Sequence, residues 1–212
     1  MKKIIILIVF IALKSFTFGQ FNAITPKIGL TLSQCKDFDN AKYKPGYLFG
    51  VSALYKLSPK FAIKPEILIK QKGFQTKANF TDENGWLVGT GNAFYTWNYI
   101  ALPLQVQYSP FKSNNIFLSA GGYIGYMLWG NERTTGGTGD IKNERSKLDI
   151  SNYNRFEIGF NAGGGITIPL KDKNKIEVGL RYERTFRNNA AKFPSGTNTF
   201  SLAVGYEINI LK

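Results

Sequence analysis

The stretch FSLAVGYEINI, residues 200–210, alternates without a break. Phe200, Leu202, Val204, Tyr206, Ile208 and Ile210 fall on one parity, and Ser201, Ala203, Glu207 and Asn209 on the other. A β-strand turns successive side chains to opposite faces, so this segment has one apolar and one polar face. Moving towards the N-terminus, the same period returns seven times. Ile176, Val178, Leu180 and Tyr182 oppose Glu177, Arg181 and Glu183. Phe156, Ile158, Phe160, Ala162, Ile166 and Ile168 oppose Arg155, Glu157, Asn161 and Thr167. Further segments run through Leu118–Tyr126, Ile100–Tyr108, Phe61–Lys72, Tyr47–Leu57 and Ile28–Leu32. In the third of the eight in chain order, Ile63, Ile67 and Ile69 oppose Lys64, Glu66, Lys70 and Lys72, and Pro65 predicts a bulge or weakened pairing there. No comparable helical period is present.

The intervals between segments sort by length. Those after the second, fourth and sixth are short, at residues 58–60, 109–115 and 171–174. Those after the first, third, fifth and seventh are longer, at about 34–45, 75–96, 129–152 and 187–196. Short turns at one end and long loops at the other, with an even number of strands, predict an all-β fold: an eight-stranded antiparallel up-and-down transmembrane β-barrel.

The chain has 212 residues, enough for one such barrel. Lys2 and Lys3, the apolar run from Ile4 to Leu13, and the small or short Thr17 and Gly19 predict a signal peptide over residues 1–19, cleaved before Gln20. Residues 20–212 are then the barrel domain. The apolar run is too short for a membrane anchor and Lys14 interrupts it. Loss of Lys2, Lys3 and Lys14 lowers the formal net charge from +13 to +10. For an exported basic chain the expected partners are outer-membrane lipid, lipopolysaccharide phosphates and other envelope or secreted proteins, and no nucleic acid.

Alternation alone leaves two orientations open. A soluble lipocalin-like barrel, exported and binding a small apolar ligand, encloses the apolar parity; a membrane barrel turns it to lipid. Segments of about nine residues suit a tilted crossing. Aromatic residues recur near the ends of the apolar parity, at Tyr47, Tyr55, Phe61, Tyr108, Tyr126, Phe156, Tyr182 and Phe200, as interfacial girdles do. The polar parity mixes charges of both signs with glycines at 121, 125, 159, 163 and 165, where long groups from facing strands find room. An eight-stranded barrel is only wide enough for side chains to fill, so Lys64, Glu66, Lys70, Arg155, Glu157, Arg181, Glu183 and Glu207 are expected to form a paired internal network.

Several stretches resemble the PorT-like outer-membrane β-barrel family: KPEILIKQKG at 64–73, YIALPL at 99–104, SAGGYIGY at 119–126, RFEIG at 155–159 and LRY at 180–182. The resemblance spans about residues 24–210. It implies an eight-stranded barrel with long outward loops, in a family whose namesake is associated with protein secretion across the outer membrane. The terminal Ile210-Leu211-Lys212 departs from the aromatic ending typical of many such barrels.

The sequence offers little chemistry. Histidine is absent, which removes His-dependent triads and His metal sites. The single cysteine, Cys35, has no partner for an internal disulfide, and the LSQC at 32–35 lies too far from the apolar run for a lipoprotein site. The carboxylate pairs Glu177/Glu183 and Glu66/Glu157 are expected to neutralise neighbouring Lys and Arg rather than catalyse. The glycine runs at 121–122, 163–165 and 136–139 lack the following helix of a phosphate loop. Asp37, Asp39 and Asn40 lack calcium-loop spacing. No enzymatic activity and no cofactor are expected. What remains for function is the exposed loops, where Trp86, Phe94, Tyr95 and Arg145 are the candidate contacts.

Overall fold

Period-two alternation becomes strand pairing throughout the chain. The computed structural model describes residues 21–36, 40–81, 83–111, 115–136, 143–152, 154–171, 173–186 and 196–210; the expected signal peptide lies outside the described residues. The strands are β1 (Ala23–Cys35), β2 (Lys42–Lys56), β3 (Phe61–Thr81), β4 (Leu87–Tyr108), β5 (Ile116–Gly136), β6 (Glu144–Lys147), β7 (Phe156–Pro169), β8 (Lys175–Thr185) and β9 (Thr197–Asn209). A 3-10 turn, Ile150–Asn152, precedes β7.

All pairings are antiparallel. The sequence of neighbours β4-β3-β2-β1-β9-β8-β7-β5 is completed by a β4–β5 pairing, so eight strands form a ring. A closed ring leaves no strand edge, which is what lipid requires of a backbone that crosses it. The seam between β1 and β9 runs from Ala23↔Asn209 to Cys35↔Thr197, and Ile210 donates its N–H to the Asn22 carbonyl at 2.9 Å beside it. Each expected segment corresponds to one ring strand. The ninth strand, β6, was not expected; it hangs on β5 between Asn131↔Lys147 and Thr134↔Glu144. Its sequence, Glu-Arg-Ser-Lys, is exposed at every position and carries no alternation to read.

The orientation is that of a membrane barrel. Ile28 (69% exposed), Leu104 (58%) and Ile158 (61%) face outward, whereas Lys64, Glu66, Lys70 and Glu183 are buried. A soluble barrel with an apolar interior therefore does not describe this fold. Aromatic pairs ring the apolar belt at both ends: Tyr126 on Phe156 (4.8 Å) and Tyr182 on Phe200 (5.1 Å) at one, Phe61 on Tyr108 (5.0 Å) at the other.

Two corrections concern the long loops. β3, β4 and β5 are 21, 22 and 21 residues long, so much of the interval 75–96 and the start of 129–152 is paired strand, not loop. These extensions stand beyond the belt, where the outward face meets water instead of lipid and is not required to be apolar. The outward parity of β3 shows the change, passing from Ile67 and Ile69 to Gln75, Lys77 and Asn79. In β5 the extra residue Leu128 forms a bulge opposite Asn98 and Tyr99, after which Trp129 points outward.

The ladder is interrupted near prolines, which donate no N–H. β3 and β4 pair at Pro65↔Leu104 and next at Leu68↔Ala101, with Pro103 in the gap. Where β2 bulges away from β3 between Tyr43 and Leu48, hydroxyls of β1 take over. Thr31 donates to the Gln71 carbonyl (2.7 Å). Ser33 accepts the Gly73 N–H (2.7 Å) and donates to its carbonyl (3.0 Å).

Candidate functional site

The polar parity of the ring converges on the barrel interior. Glu66, from β3, accepts two hydrogen bonds from the Arg181 guanidinium of β8, at 2.8 and 3.0 Å, and one from Lys27 of β1 at 2.9 Å. Lys27 also reaches Glu177 at 3.2 Å, and Glu177 accepts from Lys64. Further along, Lys70 donates to both oxygens of Glu183 at 2.7 Å, and Arg181 lies 3.8 Å from the same carboxylate. Lys72 donates to Glu157 at 2.6 Å and to the Tyr123 hydroxyl at 3.1 Å. Removing one member of such a buried pair costs about 3–5 kcal/mol, because its partner is left charged and unsolvated.

Neutral groups knit the ion pairs together. Arg181 donates to Gln105 (3.2 Å), and Gln105 donates to Asn161. Tyr123 bonds Thr185 at 2.7 Å, and Thr185 bonds Thr197 at 2.7 Å. The Lys70 and Lys72 ammonium groups lie 5.0 and 4.9 Å from the centre of the Tyr123 ring, within cation–π range. A residual cavity of about 30 Å³ remains among Lys27, Lys64, Gln105, Glu177 and Arg181, room for about one or two waters.

The structure brings Lys64, Glu66, Lys70, Glu157, Arg181 and Glu183 into this constellation. Glu207 stands apart near the short turns, 3.7 Å from Lys175. Arg155 does not join them. It lies at the belt's edge, where its carbonyl accepts the Met127 N–H at 2.8 Å and its side chain donates to the Met127 carbonyl at 3.0 Å, with its guanidinium 4.3 Å from the Tyr126 ring centre. Lys27, Lys72 and Glu177 belong to the network although no single motif marks them; their inward parity was the available signal. The glycines also act differently from the expectation. Space at Gly125 and Gly159 takes the side chains of their direct cross-strand neighbours, Glu157 and Tyr123, rather than groups from across the barrel.

Towards the projecting end the interior turns apolar. Cys35, Ala41, Phe74, Trp97, Tyr99 and Met127 form a buried cluster, covered by Tyr95, Leu148 and Ile150. Phe74 stacks on Tyr95 at 4.9 Å and tilts against Trp97 at 5.5 Å. Tyr95 is therefore part of a strand-borne stopper and not a loop contact. Phe94 likewise sits in β4, paired with Gln75 and Arg133. Trp86 lies in the turn between β3 and β4 and is 74% exposed, and Arg145 is exposed on β6.

Chemically, each interior carboxylate named above already lies within ion-pair distance of a lysine or arginine. Among the described residues no group of three His, Cys, Asp or Glu side chains is placed to hold a metal ion.

The family described as outer membrane protein beta-barrel domain matches residues 15–191. No curated protein matches the chain. Among solved structures, Neisserial surface protein A is 10% identical, covering 89% of this chain and 96% of that one with a TM-score of 0.50. The attachment invasion locus protein of Yersinia pestis is 12% identical, covering 88% and 99%, with a TM-score of 0.45. At such identities the likeness is one of fold.

Proposed function

This chain belongs to the outer membrane protein beta-barrel domain family, and on that premise we propose a non-enzymatic role carried by its projecting end. The barrel is an integral outer-membrane protein. Its projecting strands and loops face outward, its short turns face the periplasm, and it serves a structural, adhesive or secretion-accessory task by contact. The single observation that supports this is the division of labour along β3, β4 and β5: below, they form a wall whose interior is neutralised by ion pairs; beyond the belt, they continue as a polar sheet.

Within the family, the PorT-like resemblance favours the secretion-accessory form of this role. Export through cleavage after Gly19, and lipopolysaccharide phosphates and envelope or secreted proteins as partners, belong to the same proposal. The basic mature chain suits anionic lipid headgroups.

Two experiments test the reading. Alkaline washing of envelopes should leave the protein with the membranes; release into the wash contradicts integration. Pull-downs from native envelopes should lose a partner when residues 75–96 or residues 129–152 are shortened to tight turns. Retention of every partner by both variants rules out a contact role for the projecting end.

A further inference from the structure

We propose that the edge of β3 over residues 76–81, unpaired among the described residues, is a docking edge for an extended acidic segment of a partner protein. β2 pairs with β3 only as far as Lys42↔Gln75. β3 then continues to Thr81, paired on its other side with β4 from Thr76↔Ala93 to Thr81↔Leu87. Alternate backbone N–H and C=O groups along this stretch consequently face away from β4, beside the end of β2. A row of that kind is a template for strand addition, in which main-chain hydrogen bonds supply affinity and alternate side chains supply choice.

The side chains favour acidic character. Lys77 and Asn79 are exposed on the outer face of this edge, and exposed Lys42 stands at the step where β2 stops. Lysines on an edge repel basic strands. Opposite charges directly across a sheet attract, so a strand with acidic residues at alternate positions is the one these lysines admit. The inner face offers Thr76, Ala78 and Phe80, the last lying against Gly91 of β4. The opposite border of the projecting sheet is unlike it. β6 is only four residues long, and very short edge strands are one way edges are guarded against pairing.

A second copy in the same membrane is a poor occupant. Antiparallel pairing of two β3 edges would require one barrel to be inverted in the bilayer, and Lys77 would meet lysines. The inference goes beyond the contact role proposed above, and the test below is made in detergent, so its failure leaves the lipid-embedded barrel, tested by alkaline washing, standing.

The probe is a fluorescein-labelled ten-residue peptide of alternating Glu and Thr, titrated into the refolded full chain in micelles. Binding should protect amides of residues 76–81 from hydrogen exchange. The double variant Lys42→Glu, Lys77→Glu should weaken binding at least tenfold, while Arg145→Glu on β6 changes it less than twofold. Methylating alternate amide nitrogens of the peptide should abolish binding. Absence of binding, binding that survives methylation, or protection confined to β6 overturns the proposal. So does a peptide-free dimer with residues 76–81 already protected, which would assign the edge to a second copy. Lys42 and Lys77 are both exposed, and unchanged heat-dependent gel mobility of the double variant confirms that its barrel has formed.

Discussion

Strand β4 crosses two environments in 22 residues, and they impose different rules. From Tyr108 back to Ile100, its outward side chains are Val106, Leu104 and Leu102, while Gln105 and Gln107 point inward among buried polar partners. From Asn98 back to Leu87 the outward positions include Asn92 and Thr90, and the inward ones include Trp97, Tyr95 and Gly91. Lipid demands an apolar exterior, and the charges are therefore enclosed. Beyond the lipid the exterior is free to be polar, and the aromatic groups gather inside. The same backbone pattern thus carries two opposite distributions of polarity.

The sharpest way to break this contrast is inside the wall. Glu66→Ala leaves Arg181 and Lys27 without their shared carboxylate and should lower stability by about 3–5 kcal/mol, read from urea unfolding of micelle-embedded protein by tryptophan fluorescence. Next comes the wall's exterior. Leu104→Lys places a charge near the middle of the apolar belt and should cost about 2–4 kcal/mol in a bilayer refolding titration. A smaller loss, about 1–3 kcal/mol in the same titration, is expected for Ser33→Ala, which strips the Gly73 N–H and carbonyl of their hydroxyl partner where β2 bulges away. Beyond the belt the penalty should vanish. Asn79→Lys adds the same charge to an exposed face and should stay within about 0.5 kcal/mol of the parent. Equal losses for Leu104→Lys on β4 and Asn79→Lys on β3 would show that one environment surrounds the wall and its extension alike.

How much could be read from the residues follows the same division. Where lipid lies on one side and a filled interior on the other, each position is under a strong choice. The eight ring strands, and six of the eight residues expected in the interior network, are consequently visible as parity. Beyond the belt that choice disappears. The extensions of β3, β4 and β5 read as loops in the sequence, and β6, with Glu144, Arg145, Ser146 and Lys147 all in water, leaves no pattern at all. Arg155 shares the inward parity, which points to the network, yet its guanidinium turns to the Tyr126 ring and the Met127 carbonyl instead. The apolar stopper was hidden for the opposite reason. Phe74, Trp97, Tyr99 and Met127 are greasy residues on what had been the polar parity, and Tyr99 and Met127 face each other directly across the β4–β5 ladder.

The seam has a consequence for assembly. Consecutive ring strands pair with strands next to them in the sequence, with the projecting β6 the one detour between β5 and β7; β1 alone must wait for the distant β9. Until then the outer borders of β1 and of the newest strand stay unsatisfied, a condition hydrocarbon does not tolerate. A chain truncated before Thr197 should therefore fail to embed however complete its remaining strands, so commitment to the bilayer is a single event that belongs to the finished polypeptide.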